Sequence, residues 1–346
     1  MPTTYAIPDG RVAMAATTYT GTGAALTVSN AVNGVSFQPD LVWVKSRSNA
    51  TDHELTDSVR GVTKSLVSNS TAAEATDANG LTAFGSTGFT LGSDANYNGS
   101  SRTFVGWQWK ANGAAVTNTA GTITSQVSAN TTAGFSVVTY TGTGANATVG
   151  HGLGVAPSFM IIKSRTQNGV DWPTYHISTG NNGGCTLNET AAKVTNAGWY
   201  NNTTPTSTVF SVGSAAQTNG NTQSMVAYCF AAVAGYSAFG SYTGNGSTNG
   251  PFVFTNFRPR FIMFKKTNSS SDWAMFDSSR DSYNVASRDI LANLSASEYN
   301  DASNNVDFLS NGFKLRSSTA DNNNASGATY IYAAFAENPT KFSNAR

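Results

Sequence analysis

The chain has 346 residues, of which 11% are charged, with a net charge of +1 and 39% apolar residues. A balance this near neutral excludes a broad electrostatic field for nucleic acid or anionic membrane. The scarcity of charge, less than half the ~25% usual in soluble domains, is made up by Ser, Thr, Asn and Gly. No apolar run approaches the ~20 residues that span a bilayer. With 19 Phe, 13 Tyr and 6 Trp the chain still has ample material for cores.

The first segment, "MPTTYAIPDGRVAMAAT", lacks the basic stretch and apolar run of a secretory signal. Pro2, Pro8, Asp9 and Gly10 discourage a long regular element. Tyr5, Ile7, Val12 and Met14 make it too apolar for a plain linker, so residues 1–17 are expected to form an assembly arm that docks on a virion neighbour or a sister subunit. The alternative is a strand added to the chain's own first domain.

From residue 18 onward one order of landmarks recurs three times. "TYTG" at Thr18 and Thr139 returns as "SYTG" at Ser241. Pro39, Pro157 and Pro259 follow, each ahead of an apolar run: Leu41 to Ser46, Phe159 to Ser164, Phe261 to Lys266. Then come Asp52, Asp171 and Asp272, and after them Phe89, Phe210 and Phe313 in "GFTLGS", "VFSVGS" and "GFKLRS". Each copy closes on an aromatic run: "VGWQWKA", "VAYCFAA" or "IYAAFAE". Units of roughly a hundred residues are larger than solenoid repeats, and each is expected to have its own core. The expected domains are 18–113, 114–235 and 236–346.

The apolar runs are short, rich in β-branched and aromatic residues, and bounded by Gly/Asn/Ser/Thr clusters, which reads as strands joined by turns. They suggest a sheet buried on one face and partly covered on the other. Val105, Trp107 and Trp109 share one face of the first closing strand. The one helical candidate is "SRDILANLSASEY", where Ile290, Leu291 and Leu294 have helix-like spacing. The expected fold is all-β: three tandem β-sandwich, jelly-roll-like domains with a short N-terminal arm.

The stretch carrying "GFSVVTYTGTG", "HGLG" at His151 to Gly154, "PSFMIIKSR" at Pro157 to Arg165 and "WPTYH" at Trp172 to His176 resembles a repeat module of tailed-bacteriophage virion proteins, especially of marine and cyanobacterial phages. The first copy is similar to a sister form, with "FQPDLVWVKSRS", "DSVRG" and "FVGWQWKANG"; the third lacks the "HGLG" phrase. The resemblance covers nearly all of the chain beyond residue 17. It implies a virion location, a structural role as a tail fibre or appendage or as a capsid decoration, and other virion proteins of tail or capsid as partners. It brings no catalytic residues with it.

Chemistry is sparse. Lys45, Lys163 and Lys265 recur seven or eight residues before Asp52, Asp171 and Asp272, which reads as a structural ion pair fixing a loop rather than an acidic-sugar site. Asp57 with Arg60, and Asp277 with Arg280, read as a loop clamp that the second copy has lost at His176 to Thr179. The three histidines and two cysteines show no metal-ligand spacing. "DASNNVD", Asp301 to Asp307, lacks the Gly and Glu of a Ca²⁺ loop. No nucleophile elbow and no opposed carboxylate pair appears. No catalytic residue, metal or cofactor is assigned, and a depolymerase finds no support. Trp199, Tyr200, Trp172 and Trp273 stand in polar segments and are the candidates for stacking on a host-surface glycan. Trp172 and Trp273 occupy one repeat position, which also fits a core role. A homo-oligomer without nucleic-acid binding or membrane insertion is the expected assembly.

Overall fold

The computed structural model describes residues 5–300, 302–318 and 322–339. It is all-β, three tandem sandwiches built from antiparallel sheets. Residues 1–4 of the expected arm, Asp301 of the Ca²⁺-loop candidate and residues 340–346 of the third expected domain lie outside the described residues.

Each copy uses one strand order. An opening strand (Met14–Thr20, Phe135–Thr141, Ser237–Thr243) pairs with the closing strand (Thr103–Trp109, Ser224–Phe230, Thr329–Pro339). The closing strand in turn pairs with the strand at the proline (Leu41–Ser46, Phe159–Ser164, Phe257–Lys266). Three more strands continue each sheet, beginning with Glu54–Asp57, Pro173–His176 and Trp273–Asp277. The middle sheet alone carries two further strands, Val116–Asn118 and Ser125–Asn130, outside its opening strand. Register is equivalent throughout: Leu41 faces Trp109, Phe159 faces Phe230 and Phe261 faces Phe335. A smaller sheet covers one face of each large one, with Leu26–Ser29, Ala147–Gly150 and Phe252–Phe254 as its first strands.

The large sheets are buried on both faces, which corrects the expectation of a partly covered face. Every residue of Leu41–Ser46 and of Phe159–Ser164 is buried. Side chains alternate across a strand. Val42 and Val44 therefore pack under the first small sheet with Phe89 and Leu91, and Met160 and Ile162 do the same in the second copy with Phe210 and Val212. The other face goes elsewhere. Leu41, Trp43, Trp107 and Trp109 share a cluster with Phe159, Ile161, Tyr228 and Phe230 and with Phe261, Met263, Ala333 and Phe335. The first and second sandwiches each keep a core of their own between large and small sheet; the other face of each large sheet is pooled in a common centre, which the core of the third sandwich joins. At that centre Trp109, Phe230 and Phe335 form a closed triangle, with ring centroids 6.0, 5.7 and 5.6 Å apart and edge-to-face angles of 65–70°.

The recurring "TYTG" is explained by the turn it pins. The tyrosine hydroxyl donates to a backbone carbonyl in the loop before the closing strand: Tyr19 to Tyr97 O at 2.7 Å, Tyr140 to Thr218 O at 2.5 Å, Tyr242 to Asn323 O at 2.7 Å. A buried asparagine, Asn98, Asn219 or Asn324, closes the same turn from the other side. A side chain at Gly21, Gly142 or Gly244 would run into the backbone at Gly99, Gly220 or Ala325, so this position needs glycine for close approach.

Two local expectations are corrected. "SRDILANLSASEY" holds the strand Arg288–Leu291 rather than a helix, because Ile290 and Leu291 pack into the common core as one edge of a sheet. The N-terminal segment is no free arm. Met14 opens the first strand and is fully buried, and Ile7 lies in the common core. Tyr5 lies against Gly235, and Val12 ends a short 3₁₀ turn, Gly10–Val12, that packs on the last strand of the chain. Of its described apolar candidates Ile7 and Met14 are buried, Tyr5 is half-buried and Val12 is exposed.

Candidate functional site: the junctions between copies

The phrase after each proline builds a junction. In the first copy Trp107 sends its indole N–H across to the Asp277 carboxylate of the third, at 3.0 Å. Asp277 is held by Arg280 Nε at 2.5 Å and by the backbone N–H groups of Ser279 and Arg280. The Arg280 guanidinium also lies 5.7 Å over the Trp107 ring. Burial raises the Asp277 carboxyl, but the charge and hydrogen bonds of Arg280 outweigh it and hold it below the usual carboxylate range.

The second copy docks on the first in the same way. Tyr228 donates its hydroxyl to Asp57 at 2.8 Å, and Asp57 is paired with the fully buried Arg60. Arg60 also donates to Leu55 O and to Glu74. The expected loop clamps Asp57–Arg60 and Asp277–Arg280 are therefore present, and each also receives a side chain from a neighbouring copy.

The third junction, between copies three and two, has different chemistry. His176 occupies the strand position of Asp57 and Asp277, opposite Phe159 as they are opposite Leu41 and Phe261. Ala333 stands where Trp107 and Tyr228 stand. The ring accepts from the Ser178 N–H at Nδ1, 3.1 Å, so Nε2 carries the proton and donates to Tyr332 O at 3.0 Å. With 1% of its surface exposed, His176 is pushed down to about 4 by burial, against the pull of the Tyr332 carbonyl.

A second belt of contacts follows the same cycle. Trp172 Nε1 donates to Ser70 O at 2.9 Å and Trp273 Nε1 to Thr186 O at 2.9 Å. In the first copy His53 holds this position: it accepts from Trp43 Nε1 and donates to Leu291 O at 3.0 Å. Lys163 reaches Thr71 O, and Lys265 reaches Thr190 O. Arg47 with Glu298 and Arg165 with Glu74 form forked ion pairs further out; at the third junction the corresponding backbone bond runs from Lys193 N to Thr267 O without a charge pair at that position. One contacts three, two contacts one and three contacts two, so the ring is closed and head-to-tail.

The expected Lys–Asp ion pairs do not form. Each lysine is fully buried and its ammonium is satisfied by backbone carbonyls: Ser46 O for Lys45, Val170 O for Lys163, Ser271 O for Lys265. Burial pushes Lys45 and Lys163 down to about 8, with Asp52 and Asp171 pulling weakly the other way. Asp52, Asp171 and Asp272 instead accept from Asn69, Asn188 and Asn293, whose side-chain oxygens accept the N–H of His53, Trp172 and Trp273. Sequence reading missed this clamp, although its signal was present as a recurring Asp-to-Asn separation of 17 residues in two copies.

The four candidate stacking residues are not a glycan platform. Trp172 and Trp273 are junction donors with no exposed face, and Trp199 and Tyr200 sit in the core of the second sandwich against Tyr175 and Phe210. Each ring adds more by burying its faces than a polar-looking neighbourhood suggests, because the polar neighbours belong to turns at the sheet ends. Cys185 and Cys229 are both buried and unpaired. Glu54 is a buried carboxyl pushed up to about 7 by desolvation, with Ser65 and Asn96 donating to it; it is enclosed between sheets. Among the described residues no three His, Cys, Asp or Glu side chains gather as metal ligands, and no helix is long and apolar enough to cross a membrane.

These junctions define a class: a chain that builds a three-part ring out of itself, with its buried charges spent on holding the parts together. The chain belongs to a family described as a domain of unknown function, DUF7483, whose model matches residues 12–339 as one unit. The match spans all three sandwiches and the junctions among them. A search among curated proteins found no match.

Proposed function

We propose that this protein is a non-enzymatic structural component of a bacteriophage particle, carried as a compact appendage of the tail. The observation that supports it most is the closed ring. Arg60, Arg280, Asp57, Asp277 and the three recurring lysines are buried in ties between or within copies, which leaves them no role at a surface site. A compact block held together by buried ties suits a particle built by protein–protein contact. The phrase resemblance to tailed-phage virion modules supplies the particle; host-surface glycan contact, if this appendage makes it, rests on exposed loops and not on Trp172, Trp199, Tyr200 or Trp273.

A capsid decoration is the second reading, favoured by the compact packing of the described residues, among which no shaft-like element occurs. Immunogold labelling of intact particles separates them. Label on the tail is expected. Label confined to the head replaces the first reading with the second, and label on neither, with the protein absent from purified particles, overturns both.

A further inference from the structure

The opening strand is the outer edge of each large sheet, and the three copies treat that edge in three ways. In the middle copy Ser125–Asn130 is added to it, with Ser128 opposite Val137 and Gln126 opposite Thr139. In the first copy the equivalent of Val137 is Ala16, whose outward carbonyl is taken by Arg260 Nη2 at 3.0 Å and Ser279 Oγ at 2.7 Å. In the third copy the equivalent is Phe239, on Ser237–Thr243. The N–H of Ser237 points outward to Val233 O. By strand alternation Phe239, Ser241 and Thr243 turn their N–H and C=O groups the same way, and no strand or side chain among the described residues is paired to that side.

The neighbouring small-sheet edge repeats the pattern. In the middle copy the start of the added strand covers it: Ile123 bridges Val149 and donates its N–H to Thr148 O, and Ser125 Oγ donates to Gly150 O. In the third copy the same edge is Phe252–Phe254. Phe252 and Phe254 are 46% and 57% exposed, and they stand where the first copy has the polar Thr27 and Ser29. Two unpaired edges therefore lie on one side of one sandwich, and the two exposed rings stand on the outer face of one of those edge strands, opposite the buried Val253. Ser237–Thr243, "SAFGSYT", carries neither charge nor proline, the usual guards of an unpaired edge.

We infer that this side of the third sandwich is a self-association surface, where a second copy of the chain pairs edge to edge about a twofold axis through Gly240. Antiparallel pairing about Gly240 sets Phe239 opposite the partner's Ser241 and Ser237 opposite the partner's Thr243. Outward-facing residues then meet outward-facing residues, and no like charges are opposed. The same axis brings the two Phe252–Phe254 edges side by side, where the four rings pack against one another across the seam on the outer face. A second copy is the occupant that offers both edges at once with this spacing. The mode is the one the middle copy uses on itself with Ser125–Asn130.

Light scattering coupled to size exclusion tests it on the full chain. The wild-type protein is expected to elute with the mass of two 36.1 kDa chains. Ser241→Pro removes an outward N–H while leaving the ladder to the closing strand intact, and should halve the mass. The double change Phe252→Thr with Phe254→Ser installs the residues of the first copy, which folds with them, and should weaken the dimer at least tenfold; it decides the matter if the proline variant does not fold. A monomeric wild type, or a dimer that survives both variants, overturns the inference. So does a monomer that binds a synthetic peptide of residues 122–130, which would assign the edge to a strand from a different protein.

Discussion

The two carboxylate junctions and the histidine junction share one backbone geometry and differ in the buried group at the strand end, in the residue three positions on and in the donor from the neighbour. Where the strand end is Asp57 or Asp277, the chain also supplies an arginine three residues on and an aromatic donor, Tyr228 or Trp107, from the neighbour. Where it is His176, the arginine position holds Thr179 and the donor position holds Ala333. The three changes go together for a physical reason. A buried carboxylate is tolerated only when paired and hydrogen-bonded on its remaining lone pairs. An arginine without its carboxylate, or an indole N–H without its acceptor, is equally costly. The neutral imidazole needs one donor and one acceptor, and the backbone at Ser178 and Tyr332 provides both.

The largest break in this comparison should come from removing one ion of a charged junction. Asp277→Ala leaves Arg280 buried without its main partner and should cost ~3–5 kcal/mol in denaturant unfolding; a loss below about 1 kcal/mol would mean that water reaches the guanidinium. Trp107→Ala opens a cavity and removes one of the two donors to Asp277 Oδ2, the other being Arg280 Nε, for a loss of similar size, ~3–5 kcal/mol. Because its ring is shared between copies one and three, calorimetry should show one transition moved as a whole. Separate melting of the first sandwich would show that the common centre does not couple them.

The histidine junction should reveal itself through pH. The folded-state value of His176, about 4, lies below the 6.5 of a free imidazole, so the unfolded chain takes up the proton first. The stability from this group is fully present above about 6.5 and is lost as pH falls toward about 4, with an upper limit near 3 kcal/mol. His53 is depressed in the same direction. His176→Gln should flatten the slope of melting temperature over that window; an unchanged slope assigns the acid sensitivity to His53 and His151, which burial also depresses. The smallest effect is expected from the outer ion pairs. Arg165→Ala should cost ~1 kcal/mol or less and lose significance at high salt, while the third junction, which lacks this pair, should show no matching salt dependence when Thr267 is replaced by Ala.

The triple order of landmarks, the strand at each proline and the closing aromatic strand were all legible, because period-two patterning and turn residues are local properties. The Asp–Arg clamps were legible too, since their partners sit three residues apart. The junction role of Tyr228 was not: it meets Asp57 across 171 positions of sequence, and nothing near either residue announces the other. Trp199 and Tyr200 were misread because the polar residues beside them suggested a surface, whereas turn residues at the end of a sandwich flank its core.

By itself the sequence determined that this chain is all-β and threefold repetitive. Its apolar runs suggested one buried face and a second that was only partly covered. Only the tertiary structure decided what that second cover is. Each small sheet shields one face and no further layer is built within a copy by the described residues, so the other face is buried against the remaining two copies, around Trp109, Phe230 and Phe335. The hydrophobic effect specifies that area be removed from water but not by which neighbour; three sheets linked in one chain settle it by closing on one another.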